Sequence, residues 1–181
     1  MMNKLIKIVL CTLMVLTLSA CGKKDEHFAS KLVTSYLDQL KKGDMKKAAK
    51  ISGETYDEKA YENAPSSDIE VSKLRFSKLS YKVKDEKLVE NDGEAWVKIT
   101  ISNVNYVDVM NKTYELCTSD PTLITPTKQQ EEAAIVKHMK EVIETNEMKH
   151  KTVKVKLAKN SKDKWIITNE NKAFQEAILG L

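Results

Sequence analysis

The chain has 181 residues, is 41% hydrophobic and 31% charged, and carries a formal net charge of +4. That is the composition of a globular chain with room for one good core, which excludes collagen-like, disordered and polytopic membrane proteins. Arg75 is the only arginine, and the lysines are spread among 26 acids, a balance that makes a solvated surface and predicts no nucleic-acid partner.

Lys4 and Lys7 precede an apolar run from Ile8 to Leu18, the charged-then-apolar layout of a secretory signal, and the run is shorter than the roughly 20 residues of a membrane span. Leu18-Ser19-Ala20-Cys21-Gly22 follows directly. This resembles the lipobox of bacterial lipoproteins and predicts a signal peptide over residues 1–20 with cleavage between Ala20 and Cys21. A thiolate is the side chain best suited to alkylation by a diacylglyceryl group. Two acyl chains then give a stable anchor, at about 0.8 kcal/mol per buried methylene. The covalent lipid on Cys21 is the only prosthetic group expected. Residues 21–27 form a tether that holds the following domain within roughly 20 Å of the anchor, so the expected location is the extracytoplasmic face of a membrane. With Cys11 lost and Cys21 lipidated, only Cys117 remains, and no intramolecular disulfide can form.

One domain is expected over residues 28–181. Phe28, Leu32, Val33, Tyr36, Leu37 and Leu40 recur at helical spacing, with Gly43 as a stop. Asp44 is placed to cap a shorter helix that ends at Gly53. Glu54 to Asn63 adds one or two helical turns before Pro65-Ser66-Ser67-Asp68 interrupts the pattern. Strand signals follow. Leu79, Tyr81 and Val83 alternate with polar residues, Asn91-Asp92-Gly93 supplies a turn, and Ala95, Val97, Ile99 and Ile101 alternate with Trp96, Lys98, Thr100 and Ser102. Phe76 is out of phase with Leu79, which predicts a bulge near Ser77 and Lys78.

The period returns to helix at Val107, Met110, Tyr114 and Cys117, read as a core-facing stripe with Cys117 a buried, inert thiol. After a loop from Thr118 to Pro126, Thr127 and Gln130 form a capping box for the longest helix, whose stripe is Ile135, Val136, Met139, Val142 and Ile143. Val153, Val155 and Leu157 mark a strand, Asn160 to Asp163 a turn, Trp165-Ile166-Ile167 a further strand, and Phe174, Ala177 and Ile178 a last helix. These elements predict an α+β fold with helices packed on one face of a curved antiparallel sheet.

Three segments carry a family resemblance: Tyr36 to Asp44, Glu94 to Val104, and Lys164 to Ile167 with Phe174 to Ile178. Together they resemble the small lipoproteins of low-GC Gram-positive bacteria that have a nuclear transport factor two-like, cystatin-like domain. The resemblance implies a cone-shaped domain with a pocket between helices and concave sheet, and it transfers no catalytic residue. Trp96 departs from it, since a small or β-branched residue is usual there.

The five glycines are too dispersed for a dinucleotide fingerprint, a phosphate loop or a nucleophile elbow. His27, His138 and His150 have no zinc-site spacing. His138 and Glu141 share a helix face, which is read as a solvated charged face, so no metal is expected. Trp96 points away from the core-facing side of its strand and is the candidate interaction residue, unless the Thr118–Pro126 loop or a neighbouring strand covers it. The expected function is a ligand-binding or protein-interaction module at the cell envelope, its partner a small molecule, peptide or envelope protein. A small enzyme with an acid/base residue inside the cone is the alternative.

Overall fold

The computed structural model describes residues 27–89 and 94–181. The expected signal peptide, its cleavage site at Ala20 and Cys21, and all of the tether except His27 lie outside the described residues. Four helices come first, α1 (Phe28–Lys42), α2 (Met45–Ser52), α3 (Glu58–Glu62) and α4 (Ser66–Leu74). Strands β1 (Ser80–Val89) and β2 (Glu94–Val104) lead into helices α5 (Tyr106–Ser119) and α6 (Lys128–Thr145). Then come β3 (Met148–Lys159), β4 (Trp165–Ile167) and α7 (Lys172–Ile178). The strands form one open antiparallel sheet in the order β1-β2-β3-β4, with helices packed on it, so the α+β expectation holds.

The sheet is helix-covered on one side because its strands alternate. Ala95, Val97, Ile99 and Ile101 of β2 and Val153, Val155 and Leu157 of β3 are buried, under Val33 and Leu37 of α1 and Phe174, Ala177 and Ile178 of α7. Period-two patterning of this kind sends every second side chain to one face. Where the resemblance implies a pocket between helices and sheet, these side chains are buried in one apolar cluster: Val33, Leu37, Val97 and Ile99 are 0% exposed and Phe174 is 2% exposed. A smaller core of Val104, Val109, Met139, Val142 and Ile143 lies where α5 and α6 meet the far end of β2, with Val71 and Leu74 of α4 packed against it.

Three local expectations are corrected. Pro65 does not end helical structure but begins it, since its carbonyl accepts from the amides of Asp68 and Ile69 at the start of α4. Proline lacks the N–H that a helix start leaves unpaired anyway, so it suits that position. The bulge lies at Val83/Asp85, not at Ser77 and Lys78, which belong to the turn after α4 where Ser77 N donates to Leu74 O. On α5 the apolar stripe has the expected period but faces outward, with Val107 50% and Tyr114 70% exposed. The helix instead buries Val109 and Thr113, and the Thr113 hydroxyl is satisfied by Val109 O at 2.7 Å.

Helix α1 has no side-chain cap from His27; its cap comes from β1. Glu86 accepts from the Ser30 amide at 2.9 Å and the Ser30 hydroxyl at 3.1 Å, and lies 2.6 Å from His27 Nδ1. Burial pushes the Glu86 carboxyl up, but the hydrogen bonds from His27 and Ser30 outweigh it and hold the group below its ordinary value. A carboxyl lowered in the folded state stabilises above its unfolded pKa and loses that contribution as pH falls through the folded one. Glu86→Gln is therefore expected to cost about 1 kcal/mol at neutral pH, the usual worth of an N-terminal cap. It should also flatten the loss of thermal stability on acidification. Melting curves of both proteins from neutral pH down to the carboxylate range check this; parallel curves would remove the role.

Candidate interaction face

Among the described residues, no helix covers the stretch of the other sheet face that carries Trp96, Lys98 and Thr100. Register puts Lys87 of β1 opposite Trp96, and Trp96 opposite Lys156 of β3. One pair further along, Asp85, Lys98 and Lys154 line up across the three strands, followed by Lys82, Thr100 and Thr152. Lys82, Lys87, Lys98, Lys154 and Lys156 are all exposed, and among the described residues the acids on this face are Asp85 and Glu94. Lysines that look scattered in the chain are thus gathered, because three adjacent strands each send every second residue to the same side. Thr100 and Thr152 hydroxyls meet at 2.8 Å, and Ser102 Oγ lies 2.6 Å from His150 Nδ1, so the polar rows beyond the lysines are knitted across the strands.

Trp96 is half-buried near one end of this surface, between Lys87 and Lys156. Lys154 Nζ sits 4.3 Å from its ring centroid, a cation–π contact worth about 0.5–1 kcal/mol at an exposed site. Of the two covers foreseen for Trp96, it is thus the neighbouring strand that supplies one, through a flexible side chain. An indole ringed by ammonium groups offers an apolar surface together with positive charge.

The groups that could do chemistry are held elsewhere. Tyr36 is pushed up to about 12 by burial and, secondarily, by the charge of Glu54. Tyr81 is raised to about 12 by burial and by donating to Asp38 Oδ1 at 2.7 Å. Both phenols stay protonated at neutral pH and serve as packing and hydrogen-bonding groups. Cys117, expected to be buried, is only half-buried because its stripe faces outward; its thiol is raised by desolvation and by the negative charges of Asp120 and Glu131, which disfavours the nucleophilic thiolate.

His138 corrects the sequence reading. It is 8% exposed rather than solvated, with Nδ1 3.0 Å from Glu141 and Nε2 3.3 Å from Asp120. Asp120, just after α5, also accepts from Thr122. The cluster ties the α5–α6 connection onto α6. The Asp120 partner is invisible in the chain because it lies eighteen positions away. Among the described residues no group of three or more His, Cys, Asp or Glu is arranged to hold a metal ion.

Among the described residues, surface recesses also lie away from both the core and the sheet face. One of about 390 Å³ is bordered by Gly43, Lys46, Tyr56 and Lys73. Another, about 450 Å³, is the groove between α4 and α6 bordered by Glu70, Val136 and Lys140. No helix among the described residues is long and apolar enough to cross a membrane.

No protein-family model and no curated protein matches this chain. Among solved structures it is similar to a "putative lipoprotein" from Bacillus subtilis, at 16% identity and a TM-score of 0.42. The match covers 88% of this chain and 51% of that one, so this chain spans about half the length of that protein.

Proposed function

We propose that this chain is a lipid-anchored extracytoplasmic lipoprotein that works as a binding module, engaging its ligand or partner protein through the open face of the sheet. The observation that carries the binding role is the Trp96 surface: an aromatic residue that the fold leaves half-exposed and surrounds with Lys87, Lys154 and Lys156. The anchor rests on Leu18-Ser19-Ala20-Cys21 at the end of an apolar run. Against catalysis stand the protonated phenols and thiol, together with a buried histidine whose two carboxylate partners hold one helix connection in place. An acid/base site needs such groups free to meet a substrate.

The anchor is tested by growing a lipoprotein-competent bacterium that expresses the full chain with a labelled fatty acid. Label should enter the protein, and Cys21→Ala should lose essentially all of it and shift the protein out of the membrane fraction. An unsubstituted chain that takes up no label would overturn the anchor.

A further inference from the structure

We infer that the open sheet face around Trp96 is a docking surface for anionic lipid headgroups, so that the domain lies sheet-down on the membrane to which it is tethered. The inference rests on the proposed anchor and deepens the binding role by naming its partner.

Two independent observations lead there. One is charge: Lys87, Lys98, Lys154 and Lys156 surround Trp96 on a face whose acids, among the described residues, are Asp85 and Glu94. Lysine clusters with an amphipathic aromatic are the chemistry that meets a phosphate-bearing interface, where ammonium groups find phosphates and an indole settles at headgroup level. The other is position. His27, the first described residue, is held 2.6 Å from Glu86, and Glu86 is the neighbour in β1 of Lys87, whose cross-strand partner is Trp96. The chain from Cys21 therefore reaches the domain at the edge of the sheet and at the end that carries Trp96. Six peptide steps from Cys21 to His27 span at most about 20 Å, so an anchored chain keeps this end of the sheet at the bilayer. Helices α5 and α6 join the sheet at its other end, beside Val104. A soluble polyanion would find the same lysines, but nothing would place it at the tethered end.

The test uses the lipidated full chain in vesicles of phosphatidylcholine alone or of phosphatidylcholine with phosphatidylglycerol. A water-soluble amine-acetylating reagent is applied and each lysine is read by mass spectrometry. Each lysine near an anionic surface changes occupancy by about fivefold, so Lys87, Lys98 and Lys156 should be labelled at least about fivefold more slowly in the anionic vesicles at low salt. Lys137 of α6 should react equally in both, and half-molar salt should remove the difference, since exposed charges are then screened within a few ångströms. Lys98→Glu with Lys156→Glu, both solvent-exposed, should abolish the protection of Lys87. Equal labelling in the two vesicle types overturns the inference, as does protection by a soluble anionic polymer that the anionic vesicles do not reproduce. Failure of the anchor has a different signature: the protein would leave the phosphatidylcholine vesicles on flotation, while salt-sensitive protection of the sheet lysines by anionic vesicles would still support the docking face.

Discussion

Asn103→Leu is expected to destabilise the protein by about 3–5 kcal/mol, although leucine keeps the branch at Cγ that asparagine has. Asn103 is 0% exposed and joins three parts of the chain. Its Nδ2 donates to Ile178 O at 2.7 Å and to Arg75 O at 3.1 Å, while its Oδ1 accepts from Val104 N at 2.9 Å. Leucine would leave those backbone groups without a partner in a dry site, and each buried polar group stripped of its partner costs about 1–3 kcal/mol. Some relaxation toward water is expected, because the Arg75 contact is only partly buried. Urea unfolding of the two proteins measures the difference. A change below about 1 kcal/mol with an unaltered denaturant slope would show that α7 and the end of β2 do not depend on this amide.

Gly180→Ala is expected to cost about 2–4 kcal/mol by two effects that act together. Gly180 has a φ of +68°, and a Cβ built there would lie 2.3 Å from Val104 O and 2.6 Å from Val104 C. The left-handed conformation costs a residue with a Cβ about 1–2 kcal/mol, and the obstruction is backbone, which cannot swing aside. The chain end would have to lift, straining the bond from Tyr106 N to Leu179 O at 2.9 Å. Gly53 is a useful control: its φ is +76°, but there the nearest atom is the Ile166 Cγ2 methyl at 2.9 Å, farther away and on a side chain rather than backbone, so Gly53→Ala should cost less. Thermal melts of the two variants rank them, and equal costs would mean that the Val104 contact is unimportant. Because Asn103 and Gly180 brace the same joint, their combined substitution should depart from additivity by more than about 0.5 kcal/mol.

Much of the framework is legible in the chain because it is local. Asp44 accepts from the Lys47 amide as the cap of α2, and Thr127 and Gln130 form the reciprocal capping box of α6. In β2 the alternating residues Ala95 to Ile101 are buried. Trp165 and Ile167 belong to the core side, with Trp165 packed on Phe28 at a centroid distance of 5.0 Å. The two caps, the alternation of β2 and the shared face of Trp165 and Ile167 depend on residues a few positions apart, where backbone geometry alone decides which side chains share a face; that Phe28 meets Trp165 does not.

What the chain pattern leaves open is what covers each face. The stripe Val107, Met110 and Tyr114 has a helical period whether or not anything packs on it, and only the position of α6 decides that Val109 and Thr113 are the buried side. Pro65 reads as a break until the turn that follows it shows it to be a start.

By itself the sequence determined the period and bounds of most helices and strands, the expectation of a lipid anchor from Leu18-Ser19-Ala20-Cys21, and the placement of Trp96 opposite the core-facing residues of its strand. Only the tertiary structure decided that Glu86 caps α1, that His138 is enclosed by Asp120 and Glu141, that Asn103 binds Ile178 and Arg75, and that lysines from three strands converge on Trp96. The physical reason is range: propensity and periodicity act over one or two turns of chain, whereas caps, buried polar partners and charged faces are made by strand register and helix docking, which join residues as far apart as Asn103 and Ile178.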